Sequence, residues 1–164
     1  AISVLHRHPH SFPTRRSSDL FAGTTGYGYG DIGREALDAV LADIFGCEDA
    51  LIRHNFVSGT HALTTALFGV LRPGDTIVSL TGRPYDTLEE VVGLRGEGHG
   101  SLKEWGVTFR MQELAPDGHI DFDAIPAAVQ GARVAYIQRS RGYTLRPSVT
   151  VAEIARVVDR KSVV

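Results

Sequence analysis

The strongest chemical signal in this 164-residue chain is Val57-Ser58-Gly59-Thr60-His61-Ala62. Two hydroxyls flank a glycine where an apolar helical pattern is about to begin. Gly59 lets a ligand approach the backbone closely. Ser58 and Thr60 bring side-chain oxygens, and the first amides of a helix have no partner inside it. Such a helix start favours an anion, most simply a phosphate. His61 sits in the same cradle. The plainer reading is a Ser or Thr that caps a helix after a strand. The pattern is not a Walker loop, because the Gly-Lys-[Ser/Thr] ending is missing.

Three other segments carry chemistry-bearing side chains. In Gly26-Tyr27-Gly28-Tyr29-Gly30-Asp31-Ile32-Gly33-Arg34, alternating Gly and Tyr put rings on a loop open to close approach. Arg34 follows and can pair with a phosphate; the alternative is an aromatic surface loop with a solvated Arg34. Gly82-Arg83-Pro84-Tyr85-Asp86 puts Tyr85 at a helix start, where its ring can stack on a planar cofactor. The alternative is a turn with a core-facing Tyr. Gln138-Arg139-Ser140-Arg141-Gly142-Tyr143 places polar groups at the carboxyl end of a strand, where ligands collect in α/β sheets. The alternative is a basic surface loop.

Other chemistries are excluded or disfavoured. His54, His61, His99 and His119 show no HxxxH or HxH spacing, so no metal site is expected. A GxSxG nucleophile elbow is missing. The one cysteine, Cys47, rules out an internal disulfide and reads as a small buried residue. It fits a reducing cytoplasm. The net charge is −2, so no basic excess draws nucleic acid or an anionic membrane. Apolar runs stay far below the roughly 20 residues that cross a bilayer.

The elements that must position these residues alternate. Helices are expected at Asp31–Phe45, Thr60–Leu71, Asp86–Gly93, Asp121–Val129 and Thr150–Val158. Strands are expected at Ala50–Arg53, Thr76–Leu80, Gly106–Met111 and Arg133–Gln138. Asp31 caps the first helix and Gly46 stops it. Asp86 with Glu89, and Thr150 with Glu153, have capping-box spacing. Asp121 is the expected cap of its helix. Turns fall at Arg72-Pro73-Gly74-Asp75 and Pro116-Asp117-Gly118. Helices between short apolar strands imply an α/β fold with a mostly parallel sheet covered on both faces.

The ends read differently. Residues 1–20 have neither helical nor strand period. Ser11–Leu20 (SFPTRRSSDL) resembles one reading frame of a widely used short-read sequencing adapter, and the last six residues, DRKSVV, resemble its complementary strand. The expectation is that 1–20 and 159–164 are scars that stay disordered, and that 21–158 is an internal piece of a longer protein.

In order along the chain, GYGYGDIGR, VSGTHA, RPGD, GRPYDTLEE, GSLKEWG, PDGHIDF and IQRSRGYTLRPS resemble the methionine gamma-lyase-like family, also known as aluminium resistance proteins. The likeness covers nearly all of 21–158. It implies a partial three-layer αβα large domain of a fold type I enzyme dependent on pyridoxal 5′-phosphate. It implies that Ser58, Gly59, Thr60 and His61 hold the cofactor phosphate and that Tyr85 stacks on the ring. Tyr27 and Arg34 fall where related lyases reach the phosphate in a neighbouring subunit, Tyr29 being the other candidate; this makes the parent a homo-oligomer. Ser140, with Arg139 and Arg141, falls near the ring's phenolic oxygen. The family's Schiff-base Lys and the Asp that pairs with the ring nitrogen lie downstream of Val158. No catalytic residue is therefore assigned here, and this chain alone is expected to be inactive and only marginally stable.

The implied activity is a carbon–sulfur lyase acting on a sulfur amino acid such as methionine. The alternatives are an aldolase or aminotransferase of the same fold, or a non-catalytic nucleotide- or phosphate-binding module. A dinucleotide site is disfavoured, because no GxGxxG follows Ala50–Arg53.

Overall fold

A computed structural model describes residues 17–22, 30–97 and 99–161. The chain divides into two compact units, Ala1–Val57 and Ser58–Val164.

In the first unit, helix α1 (Ile32–Phe45) begins and ends as its sequence requires. The Asp31 carboxylate accepts the Arg34 amide at 3.1 Å. Gly46 closes the helix in the left-handed region, at φ 64°, which a glycine adopts without strain. A 3-10 turn, Ser17–Phe21, packs on α1. Gly33 permits this approach, since a Cβ there would run into the Leu20 carbonyl. Ser17–Leu20 thus carries structure where none was expected, while residues 1–16 lie outside the described residues.

Two expectations in this unit are corrected. Ala50–Arg53 is not a strand. The Ile52 amide donates to Asp38 Oδ1 at 2.9 Å, and Arg53 Nη1 reaches both oxygens of that carboxylate, at 2.9 and 2.8 Å. A backbone donor committed to an α1 side chain cannot also serve a sheet ladder. Cys47 is exposed rather than buried. It follows the helix stop, and its Sγ lies 3.1 Å from the Asp49 carbonyl and 3.7 Å from that of Ala42, either of which can accept its one proton.

The second unit is built on three strands, β1 (Thr76–Ser79), β2 (Thr108–Met111) and β3 (Val134–Tyr136). They form one parallel sheet in the order β2-β1-β3, with Ile77 opposite both Phe109 and Val134. Parallel neighbours need crossovers, and helices lie in them. Helix α3 (Asp86–Val92) lies between β1 and β2, and α4 (Ile125–Val129) between β2 and β3. Helix α2 (Gly59–Val70) precedes the sheet and α5 (Val151–Lys161) follows it.

The two-residue period of β1 sorts the core. Ile77 joins Leu67 and Leu71 at the end of α2, Leu88 and Val92 of α3, and Leu102 and Val107. Val78 and Leu80 join Ile120, Ile125 of α4, Val149 and Val157 of α5. Helices α2 and α3 therefore cover one face, and α4 and α5 the other. This is a three-layer αβα arrangement with a parallel sheet, as expected. Burying each Leu, Ile or Val contributes about 1.5–3 kcal/mol, which holds such short strands together.

Helix starts follow the local competition for amides. Tyr85, not Asp86, stands at the cap of α3, and no side chain caps it. Asp86 Oδ1 accepts the next amide, that of Thr87, at 2.8 Å. Glu89 does not reach back, because Arg83 binds its carboxylate with two nitrogens. A charged two-pronged partner outcompetes a single amide, and it holds the Glu89 carboxyl below the usual carboxylate range. Helix α4 is shorter than expected. Asp121 caps a turn of its own, accepting from Asp123 and Ala124 at 3.1 and 3.3 Å. The helix starts only at Ile125, with Pro126 in its first turn, where no N–H is needed.

The Thr150–Glu153 capping box forms as expected. Thr150 N–H donates to Glu153 Oε2 at 2.7 Å, and Glu153 N–H donates to Thr150 Oγ1 at 3.2 Å. Helix α5 runs on through Lys161, past the expected limit at Val158; residues 162–164 lie outside the described residues. The Thr150 amide, the His119 ring and the Thr150 hydroxyl hold the Glu153 carboxyl down to about 2. A carboxyl depressed by folding stabilises the fold at pH above its ordinary value near 4.5. That contribution is lost as pH falls through the folded value. Thermal melts between about pH 5 and about pH 2 should therefore fall more steeply for the unmodified chain than for Glu153→Gln. Thr150→Ala should cost about 1 kcal/mol at neutral pH by denaturant titration.

Candidate functional site

The carboxyl ends of β1 and β3 face the starts of α2 and α3. Two contacts fix this edge. Thr60 Oγ1, in the first turn of α2, bonds Thr87 Oγ1 of α3 at 3.0 Å. At the end of β1, Ser79 Oγ donates to the Gly82 carbonyl at 2.6 Å and shapes the turn into α3; Gly82 takes φ 71°, a left-handed value.

Ser58 is the cap of α2, its Oγ accepting the His61 amide at 3.1 Å. Helix geometry leaves the amides of Gly59 and Thr60 without an intrahelical partner. Among the described residues, nothing lies within 4 Å of where a Cβ on Gly59 would stand. Ser58 and His61 are exposed, Thr60 half-buried. The structure shows the plainer capping role, which uses one lone pair of Ser58 and leaves its hydroxyl hydrogen to rotate.

Beside this edge lies an open cleft of about 580 Å³ lined by Leu63, Tyr85, Tyr136, Gln138, Ser140 and Ser148, among others. Tyr85 and Ser140 are thus brought together on one cleft, with Leu63 from α2. The Tyr85 backbone is pinned by its amide, which donates to Gln138 Oε1 at 3.0 Å. Its ring is closely approached by Gly142, where a Cβ would come within 2.8 Å of Cε1. Only a glycine fits there, and its φ of 57° is the left-handed region. Burial pushes the Tyr136 hydroxyl above the usual phenol range.

The other expected residues are placed as follows. Arg34 lies in the first turn of α1, its Nε 3.2 Å from Asp31 Oδ2. Tyr27 and Tyr29 fall outside the described residues. Arg139 also lines that cleft, and its Nε donates to the Val149 carbonyl at 3.2 Å; Arg141 is exposed. Among the described residues, no group of three or more His, Cys, Asp or Glu is placed to hold a metal ion. None of their helices is long and apolar enough to cross a membrane.

Two residues, Gln138 at the head of the polar segment after the last strand and Arg146, were given no role of their own. Gln138 is buried and bonds Tyr85, Tyr136, Thr81 and Ser140. Its signal was the polar residue that ends the apolar run Arg133–Gln138. Arg146 spans the loop after β3, its Nη2 donating to the carbonyls of Gln138 and Ser140 at 2.9 and 2.8 Å. Nothing in its local pattern marked it.

The arrangement can hold an anion at a helix start and a planar group beside an aromatic ring. Gly142→Ala should displace the Tyr85 ring and carry a backbone penalty of about 1–2 kcal/mol. Shifted Tyr85 ring resonances together with a lower melting temperature are expected; unchanged resonances would contradict the contact.

Known proteins match along most of this chain. The family model for methionine gamma-lyase matches residues 4–163. An uncharacterised Bacillus subtilis protein, YnbB, is 50% identical over 151 residues, 90% of this chain and 36% of that protein. A solved structure from Clostridium acetobutylicum, a proposed cystathionine beta-lyase involved in aluminum resistance, superposes with a TM-score of 0.85 at 42% identity; the match covers 91% of this chain and 36% of that one. A carbon-sulfur lyase involved in aluminum resistance from Clostridium novyi gives 0.80 at 42% identity, over 88% of this chain and 35% of that one. The chain therefore spans a little over a third of the length of these relatives.

Proposed function

We propose that this chain, which belongs to the methionine gamma-lyase family, is the part of a longer carbon–sulfur lyase that holds pyridoxal 5′-phosphate. The observation that carries the reading is the pairing, on one sheet edge, of an open helix start at Ser58–Thr60 with a cleft that presents Tyr85 and Ser140. The residues fit the cofactor. The amides of Gly59 and Thr60 and the hydroxyl of Ser58 suit a phosphate, with His61 beside them. The Tyr85 ring suits a flat heteroaromatic ring. The Ser140 hydroxyl is a donor suited to the ring's phenolic oxygen. Tyr27 and Arg34 would complete the phosphate site of a neighbouring subunit, which makes the whole protein a homo-oligomer.

When bound, pyridoxal phosphate supplies the carbonyl that engages an amino group and the sink for the electrons released. This chain's share is binding and orientation. The helix start fixes one end of the cofactor, and the cleft fixes the plane of the ring. The covalent lysine and the partner of the ring nitrogen would come from the remainder of the longer protein. A sulfur amino acid such as methionine is the proposed substrate, and the cytoplasm the proposed location. The names of the solved relatives, cystathionine beta-lyase and carbon-sulfur lyase, support carbon–sulfur cleavage.

Titration of the longer natural protein with pyridoxal phosphate should raise a visible absorbance band, and methionine or cystathionine should then release thiol. A band with amino-group transfer but no thiol would favour an aminotransferase. The lack of any band would favour a non-catalytic phosphate-binding module. Ser58→Ala should weaken pyridoxal phosphate by about tenfold or more, the scale of a hydrogen bond to a charged group. It should leave unphosphorylated pyridoxal unaffected. Sedimentation of the longer active protein should give a dimer or larger species; an active monomer would contradict the shared phosphate site.

A further inference from the structure

We infer that Gln138 is a positioning residue, which sets the plane of the Tyr85 ring from beneath the cleft; this rests on the reading that a flat cofactor binds there. Tyr85 stands at the cap of α3, with no side chain capping that helix. Its backbone amide takes instead a partner from 53 residues away, the side-chain oxygen of Gln138. That bond crosses from the β3 edge to the turn after β1. It is what ties the ring-bearing backbone to the sheet.

The geometry admits only one orientation of the Gln138 amide. Oε1 accepts both the Tyr85 N–H, at 3.0 Å, and the Tyr136 O–H, at 3.3 Å. Nε2 donates to the Ser140 carbonyl at 3.1 Å. A flipped amide would set an NH2 against the Tyr85 N–H, which can only donate, and an oxygen against the Ser140 carbonyl, which can only accept. The Gln138 backbone is held as firmly. Its N–H donates to Thr81 Oγ1 at 3.0 Å, and its carbonyl accepts from Arg146 Nη2 at 2.9 Å. The residue is only 6% exposed. A buried amide with every polar atom engaged keeps a single position. It therefore transmits the register of the sheet to the ring, against which Gly142 closes. Gln138 also lines the cleft that presents Tyr85.

The test compares Gln138→Leu and Gln138→Glu in the longer natural protein, with pyridoxal phosphate as the probe. The Leu variant loses the acceptor for Tyr85. The Glu variant keeps that acceptor and loses only the donor to Ser140. Visible circular dichroism of the bound probe reports ring orientation, and hydrogen exchange reports the Tyr85 amide. The Leu variant should lose most of the dichroic band, bind about five- to tenfold more weakly, and exchange the Tyr85 amide faster. The Glu variant should keep the band and the slow exchange. If both variants melt lower yet keep the band, the affinity and the Tyr85 protection, Gln138 is merely structural and the inference is overturned. If the Leu variant does not fold, loss of the band in the Glu variant, or a rapidly exchanging Tyr85 amide in the unmodified protein, overturns it equally. If the unmodified protein binds no probe, the cofactor reading fails and takes with it any role of Gln138 toward a cofactor. The Tyr85 exchange rates then decide separately whether Gln138 holds that backbone.

Discussion

Parallel pairing on both sides of β1 constrains everything else in the second unit. Two parallel neighbours cannot be joined by tight turns, so the chain must cross over the sheet each time. Each crossover returns the chain to the amino edge and leaves the carboxyl edge ringed by turns and helix starts. That edge is where the Gly82 turn, the Tyr85 cap and the loop after β3 all come together. The same pairing buries β1 on both faces: Ile77 looks to α2 and α3, Val78 and Leu80 to α4 and α5.

A sheet edge of this kind ends apolar strands in polar residues, and those residues must be satisfied where they are buried. Ser79, Thr81 and Gln138 are all buried at the carboxyl ends of β1 and β3. Ser79 answers the Gly82 carbonyl, and Thr81 accepts the Gln138 amide. Their partners lie on the edge itself, so the bonds that satisfy them also shape the cleft. Packing deeper in the sheet and the form of the site are coupled through a handful of hydrogen bonds.

Much of this was legible in the sequence because the signals were local. Asp31 and Gly46 bound α1, and Thr150 with Glu153 starts α5, since a cap involves residues three or four apart. The three strands of the sheet were visible as short apolar runs between turns. The failures were long-range or competitive. Ala50–Arg53 has a strand's composition, but Asp38, on a helix in the same unit, takes its amide and its guanidinium. Asp86 and Glu89 have the right spacing for a capping box, but Arg83 claims the glutamate. Of the site, Ser58–Thr60, Tyr85 and Ser140 stood out by residue type beside a turn or strand end. Gln138 stood at the head of a polar segment, but its bonding role was not legible, because it depends on partners up to 57 residues away.

The chain belongs to the methionine gamma-lyase family and spans a little over a third of its relatives' length. In the proposed function, the helix start at Ser58–Thr60 and the ring of Tyr85 hold the two ends of one cofactor. A crystal structure of the longer natural protein grown with pyridoxal 5′-phosphate measures this most directly. The phosphate should lie on the amides of Gly59 and Thr60, with the heteroaromatic ring against Tyr85. A phosphate bound elsewhere, or a ring that leaves Tyr85 untouched, would contradict it.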